Sequence, residues 1–244
     1  MPVADDAEVQ RVDLAGAVLE LASWGEASAA EFPWYERPTE SALAAAEKQL
    51  RALGAIDDER KITNLGRRMA ALPLQPRLAR LVVAGQETGH PADAALLAAY
   101  LSERDPLRTG RGAEAEHRSD SDVVDRLSAI QDFERNGRAK TWLGELDTRA
   151  AKAILRIRDQ FLKQLRDDVD QNTSEADDRA ADEATMWAVF TAFPDRLARR
   201  REPGGLRAVM VGGRGVKLAQ ERRARRRAVR LRRPARDRRD RSVG

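Results

Sequence analysis

Apolar positions recur at helical spacing along most of the chain. Leu14, Val18 and Leu21 fall at i, i+4 and i+7, and Asp13 stands where it can cap their helix. Phe32-Pro33-Trp34-Tyr35 with Pro38 predicts a packed, non-helical connection, since prolines break the helical pattern. Leu43, Ala46, Leu50 and Leu53 line one face of a second helix, which begins near Thr39 or Ser41 and stops at Gly54. Ile56 and Ile62 flank a charged stretch and read as the ends of a short hairpin. Two helices followed by a two-stranded wing is the order of a winged-helix unit.

Thr63 is placed to cap a short helix containing Leu65, Met69 and Leu72, before Pro73 and Pro76 interrupt it. Pro76 suits the first position of the next helix, whose apolar face starts with Leu78, Leu81 and Val82. Gly85 lies on that face and weakens the helix, and Gly89 ends it. Pro91 opens another helix, with Leu96, Leu97, Tyr100 and Leu101 predicted to face inward. Such paired helices predict a bundle. Residues 108–120 are polar and read as a linker. Val123, Val124, Leu127 and Ile130 mark a further helix. The clearest one covers about 147–169, with Ile154, Ile157, Phe161, Leu162 and Leu165 on one face. An acidic loop at 170–180 follows, then a helix marked by Met186, Phe190 and Phe193 before Pro194. Residues 206–211 alternate weakly, and Gly212-Gly213-Arg214-Gly215 can turn them into a return strand. The fold class is therefore mainly α: a winged helix followed by a helical bundle, with a short C-terminal β-hairpin and a disordered Arg-rich tail from residue 221.

Charge changes this picture in one respect. The chain carries +4, but residues 221–244 hold twelve arginines and three acids, or +9, which leaves −5 for the remainder. A polyanion would bind the tail in a salt-dependent way, whereas the body as a whole is mildly acidic. The tail reads either as a solvated extension or as coding sequence out of frame. Cysteine is absent, the N-terminus lacks an apolar leader segment, and no apolar run reaches the ~20 residues that span a bilayer. A cytoplasmic protein is expected, without a membrane partner.

Candidate chemistry is sparse. No stretch matches the glycine-rich phosphate cradle of an ATPase; Gly213-Arg214-Gly215-Val216-Lys217 puts a lysine near glycines but without the spacing, and reads as a turn. Asp182-Glu183-Ala184-Thr185 follows a polar helix start, not the buried strand that aims a carboxylate at Mg²⁺. His90 and His117 are isolated and make neither a metal cluster nor an acid–base pair. No catalytic residue, metal ligand or cofactor is assigned. Nucleic-acid contact fits better. Arg77 and Arg80 lie on a helix face turned away from Leu78 and Val82, where they either reach phosphates or form a solvated face. Arg104 either contacts a phosphate or bridges Glu103 or Asp105. Trp24 and Trp34 are stacking candidates, with a core or interface role as the alternative, and Trp142 and Trp187 read as core.

Several segments resemble, in order, the HrpB-type DEAH-box ATP-dependent helicases of bacteria. Residues 8–14, Val18-Leu19, Leu21 and Trp24-Gly25 resemble the opening of the helicase winged helix, and Phe32-Pro33-Trp34, Pro38, Ala42-Leu43 and residues 50–57 continue it. Thr63, Leu65-Gly66-Arg67, Leu72-Pro73-Leu74 and Pro76-Arg77-Leu78-Ala79 are similar to the entry into the ratchet-like helical bundle. Leu96-Leu97 with residues 101–107 points to the HrpB type, and Phe193-Pro194-Asp195-Arg196 and Gly213-Arg214-Gly215 resemble markers of its C-terminal region. The resemblance implies a winged helix at 8–66, a helical bundle at 67–140, a truncated HrpB-type C-terminal region at 141–220 and the tail at 221–244. In the family two RecA-like motor domains precede the winged helix, and they are the expected partner. Phe32, Trp34 and Tyr35 are the expected motor interface. ATP and Mg²⁺ would act only through that motor, and the expected ligand is single-stranded nucleic acid, with RNA first. The implied role is an accessory part of a helicase, inactive as an enzyme alone. Two alternatives stand beside it: a winged-helix regulator reading DNA through residues 41–53, and a noncatalytic interaction module.

Overall fold

The computed structural model describes residues 13–26, 28–108, 118–119, 121–165, 178–203 and 205–217. The arginine tail, His117, the acidic stretch up to residue 177, most of the 108–120 linker and residues 8–12 lie outside them.

The N-terminal part follows the expected order. Helix α1 (Ala15–Trp24) buries Val18, Leu19 and Leu21. Asp13 meets its first turn by accepting the Ala15 N–H at 2.9 Å. Helix α2 (Glu40–Leu53) is capped by Thr39, buries Leu43, Ala46, Leu50 and Leu53, and ends at Gly54 with φ 75°. The hairpin is minimal, a single antiparallel bridge between Ile56 and Ile62, with Arg60 at its tip in the left-handed region at φ 67°. Helix α3 (Asn64–Ala70) starts at Thr63. The Thr63 hydroxyl accepts the Gly66 N–H at 2.9 Å and donates to the Gly54 carbonyl at 2.7 Å, so one side chain caps α3 and ties it to the end of α2.

Helices α4 (Pro76–Thr88), α5 (Pro91–Ser102), α6 (Asp122–Asn136), α7 (Thr148–Leu165) and α8 (Asp178–Ala192) form the bundle. The central helix is α5, packed against α4, α6, α7 and α8. Ala94 to Ala99 are buried without a break, as befits a helix apolar on every side. The sequence predicts Leu101 inward, yet it is exposed; alanines complete the inner surface instead. The Gly85 position proves to be a contact point rather than a weakness: a Cβ there would stand 2.2 Å from the Ala94 Cβ, so α4 continues through it to Thr88. Helix α8 is also phased differently from expectation. Its buried positions are Ala184, Thr185, Ala188 and Ala192, whereas Met186, Phe190 and Phe193 are half-buried. Small residues let its backbone approach α4, and the larger side chains pack around the edge.

Two small antiparallel sheets complete the described fold. Strands β1 (Leu107–Arg108), β2 (Lys140–Thr141) and β3 (Gly144–Leu146) pair in the order β1-β3-β2. Strands this short carry no periodic signal. In the second sheet, β5 (Arg207–Met210) and β6 (Gly215–Lys217) are the expected hairpin. A third strand, β4 (Ala198–Arg200), pairs with the far side of β5. Two strands alone are marginal in water; the third comes from upstream, from an arginine run that does not read as a strand. Among the described residues no helix is long and apolar enough to cross a membrane.

Candidate nucleic-acid interface

Side chains alternate across a sheet, so the register of β4-β5-β6 sorts its residues into two faces. Ala208 is buried on the inner face, with Met210 and Val216 half-buried beside it. Arg200 shares that face and donates to the Gly205 carbonyl at 2.9 Å. On the outer face Arg207 stands directly opposite Lys217, and the Arg201 N–H donates to the Arg207 carbonyl at 3.0 Å. Arg201, the residue just after β4, thus forms a row with Arg207 and Lys217 across the sheet, and Arg199, paired with Val209, lies one step along. All four side chains are exposed.

Directly opposed side chains in a sheet sit about 5 Å apart, and like charges there repel. None of the four cations has a carboxylate partner among the described residues. Residues 194–217 hold seven cations against two carboxylates, and one of these, Asp195, is held by Arg77. The −5 of the body is therefore not spread evenly, and an overall count conceals a basic face. Leu197 and Val211 extend the same face with exposed apolar side chains, joined by the Val211 N–H to Leu197 carbonyl bond of 2.9 Å. The surface is a cation row beside an apolar end, suited to a ligand with phosphates and flat, apolar bases.

The arginines singled out by sequence sit elsewhere. Arg77 donates to both oxygens of Asp195, at 2.7 and 3.0 Å, to the Ala192 carbonyl at 3.1 Å and to the Gln49 side chain at 3.0 Å. Its guanidinium also lies 5.5 Å from the Phe193 ring centre. Arg80 is only 12% exposed and pairs with Glu87 at 3.4 Å; burial draws its pKa below the usual arginine value, against the opposing pull of Glu87. Neither guanidinium forms an open phosphate-binding face. Arg104 is exposed and has no side-chain partner among the described residues.

The aromatic group divides likewise. Phe32 and Trp34 are half-buried and meet edge to face at 5.1 Å, with the Trp34 indole N–H donating to the Ala29 carbonyl at 2.7 Å. Tyr35 is fully exposed, and Trp24 is 73% exposed. Neither Trp142 nor Trp187 is a core residue. Trp142 is half-buried under the Arg118 guanidinium at 4.1 Å, and Trp187 is half-buried against Phe190 at 5.4 Å. A cavity of about 610 Å³ lies beside Trp142, but Asp93, Asp125, Asp132, Glu134 and Asp182 line it, which disfavours a polyanion. Among the described residues no group of three or more His, Asp or Glu is placed to hold a metal ion.

The basic sheet carries no sequence motif. Its only signals are Arg199-Arg200-Arg201 and the period-two placement of Arg207 and Lys217, legible once the strands are paired.

Comparison with known proteins gives a consistent answer. Residues 46–74, which span the end of α2, the hairpin and α3, match the helicase associated domain (HA2), winged-helix. The chain is 39% identical over 103 residues to the ATP-dependent RNA helicase HrpB of Escherichia coli (strain K12), covering 42% of this chain and 12% of that protein. It is 36% identical over 110 residues to the ATP-dependent RNA helicase HrpA of the same organism, covering 43% of this chain and 8% of the relative. The crystal structure of the E. coli DExH-box NTPase HrpB aligns with a TM-score of 0.61 at 29% identity, over 88% of this chain and 22% of that one. The chain thus spans a small fraction of the length of the relatives it matches.

Proposed function

We propose that this chain, which has the C-terminal helicase-associated region of a DEAH-box helicase, binds single-stranded nucleic acid on the outer face of its β4-β5-β6 sheet and guides it for a RecA-like motor. RNA is the first candidate, because the matched relatives are RNA helicases. The motor supplies ATP and Mg²⁺ chemistry, since these 244 residues contain no glycine-rich phosphate cradle. The observation that carries the reading is the row Arg201–Arg207–Lys217 with Arg199 beside it: exposed cations in register without carboxylates to neutralise them. Phosphates relieve that repulsion, and Leu197 and Val211 offer apolar contact to bases. Arg104 is a secondary contact. Tyr35, exposed next to the packed Phe32–Trp34 pair, offers itself with Trp24 to the motor.

The regulator reading gains no support from α2. Glu47 accepts hydrogen bonds from both Arg51 and Arg60 at 3.1 Å, so the candidate recognition helix spends its arginine on an internal pair. The test is binding of a short single-stranded RNA at several salt concentrations. Replacing Arg201, Arg207 and Lys217 together with Gln should weaken binding at least tenfold at low salt. It should also reduce the slope of log K against log salt by about 2, since each phosphate left without its cation removes roughly 0.7. Unchanged affinity and slope in a folded triple variant would sink the reading.

A further inference from the structure

We infer that Arg77 is a positioning residue, a latch that sets the orientation of the basic sheet relative to the winged helix and the bundle. The inference rests on the sheet's being the nucleic-acid face. The sheet is entered from α8 through Phe193 and a short turn at Pro194–Arg196. A polar chain holds that turn. Asp13, before α1, accepts from the Gln49 amide at 3.3 Å. Gln49, on α2, accepts from Arg77 at 3.0 Å, and Arg77, on α4, grips both oxygens of Asp195 and the last carbonyl of α8. Four segments remote in sequence thus converge on the entry to β4. Phe193 is flanked by Arg77 at 5.5 Å and Arg196 at 5.3 Å, which restricts the turn further.

The geometry separates this role from phosphate binding. The Arg77 side chain is 20% exposed and Asp195 is 52% exposed. Four hydrogen bonds already use both terminal nitrogens of Arg77, and reaching a phosphate would break the fork. A planar guanidinium can grip two carboxylate oxygens at once; an ammonium cannot, so Arg77→Lys keeps the charge and loses the latch.

Asp195→Asn gives the decisive contrast. It removes a negative charge close to the basic face, so electrostatics alone predicts equal or tighter RNA binding. A latch predicts weaker binding. In the full chain we expect Asp195→Asn and Arg77→Lys each to weaken binding of a short single-stranded RNA about three- to tenfold, with the salt slope unchanged. The double variant should be no worse than the weaker single variant. A second readout needs no RNA. The chain has no cysteine, so spin labels on Glu40→Cys, in α2, and Glu202→Cys, after β4, report one distance; it should broaden in both latch variants. Equal or tighter binding by Asp195→Asn, in a protein in which the Gln triple variant still weakens binding at least tenfold, overturns the latch. So does a salt slope about 0.7 lower for Arg77→Gln than for Arg77→Lys, which would make Arg77 a phosphate contact. If the triple variant binds normally, the sheet is not the interface, and the label distance alone decides the latch: broadening supports it, and an unchanged distribution overturns it.

Discussion

Gly85 shows how one residue can reverse a propensity argument. In an exposed helix interior, Gly to Ala gains about 1 kcal/mol, because the backbone has less freedom to lose on folding. At Gly85 the added methyl would meet the Ala94 Cβ at 2.2 Å and the His90 carbonyl at 3.0 Å, and neither atom lies at the end of a flexible side chain. Gly85→Ala is therefore expected to destabilise the protein by about 1–3 kcal/mol, as overpacked cores do. Urea unfolding monitored by circular dichroism measures this; a rise in stability would mean that α4 and α5 can separate at little cost. Arg77 follows the same logic. Its place on α4 away from Leu78 and Val82 follows from the helical period, but its partners lie far off in sequence and do not.

Among elements, helices with one wide apolar face are the legible ones. The faces of α2 and α6 follow the spacing of Leu43, Ala46, Leu50 and Leu53, and of Val124, Leu127 and Ile130. Helix α8 departs from its expected phase because it contains two competing stripes, and large side chains draw the eye to Met186 and Phe190. Packing chose the alanine stripe, since α8 lies close against α4 and only small residues permit that approach. Ala188→Leu should accordingly cost about 1–3 kcal/mol. Met186→Ala, at a half-buried edge, should cost less. Thermal melts of the two variants test the order, and a greater loss for Met186→Ala would restore the face read from the sequence.

At the scale of the whole molecule the distribution of charge matters more than its sum. A net charge of −5 over residues 1–220 predicts that removing the arginine tail abolishes most RNA affinity at low salt. The sheet predicts otherwise. A chain ending at Lys217 should bind single-stranded RNA more weakly than the full chain, but with a salt slope of about 3 from its four outer cations. Titration at several ionic strengths decides between them; a slope near zero would leave the tail as the sole source of binding.

The sequence by itself determined the helical class, the winged-helix order, the cap at Thr63, the stops at Gly54 and Gly89, and the place of the last hairpin. These depend on residues within a few positions of one another, so local sterics and hydrogen bonding decide them. Only the tertiary structure decided which stripe of α8 is buried, that α5 is enclosed on every side from Ala94 to Ala99, and that a third strand completes the last sheet. It also committed Arg77 to Asp195 and brought Arg201, Arg207 and Lys217 into one row. Each of these depends on which other segment occupies the neighbouring space. A charge count or an apolar period along one segment contains no information about that neighbour.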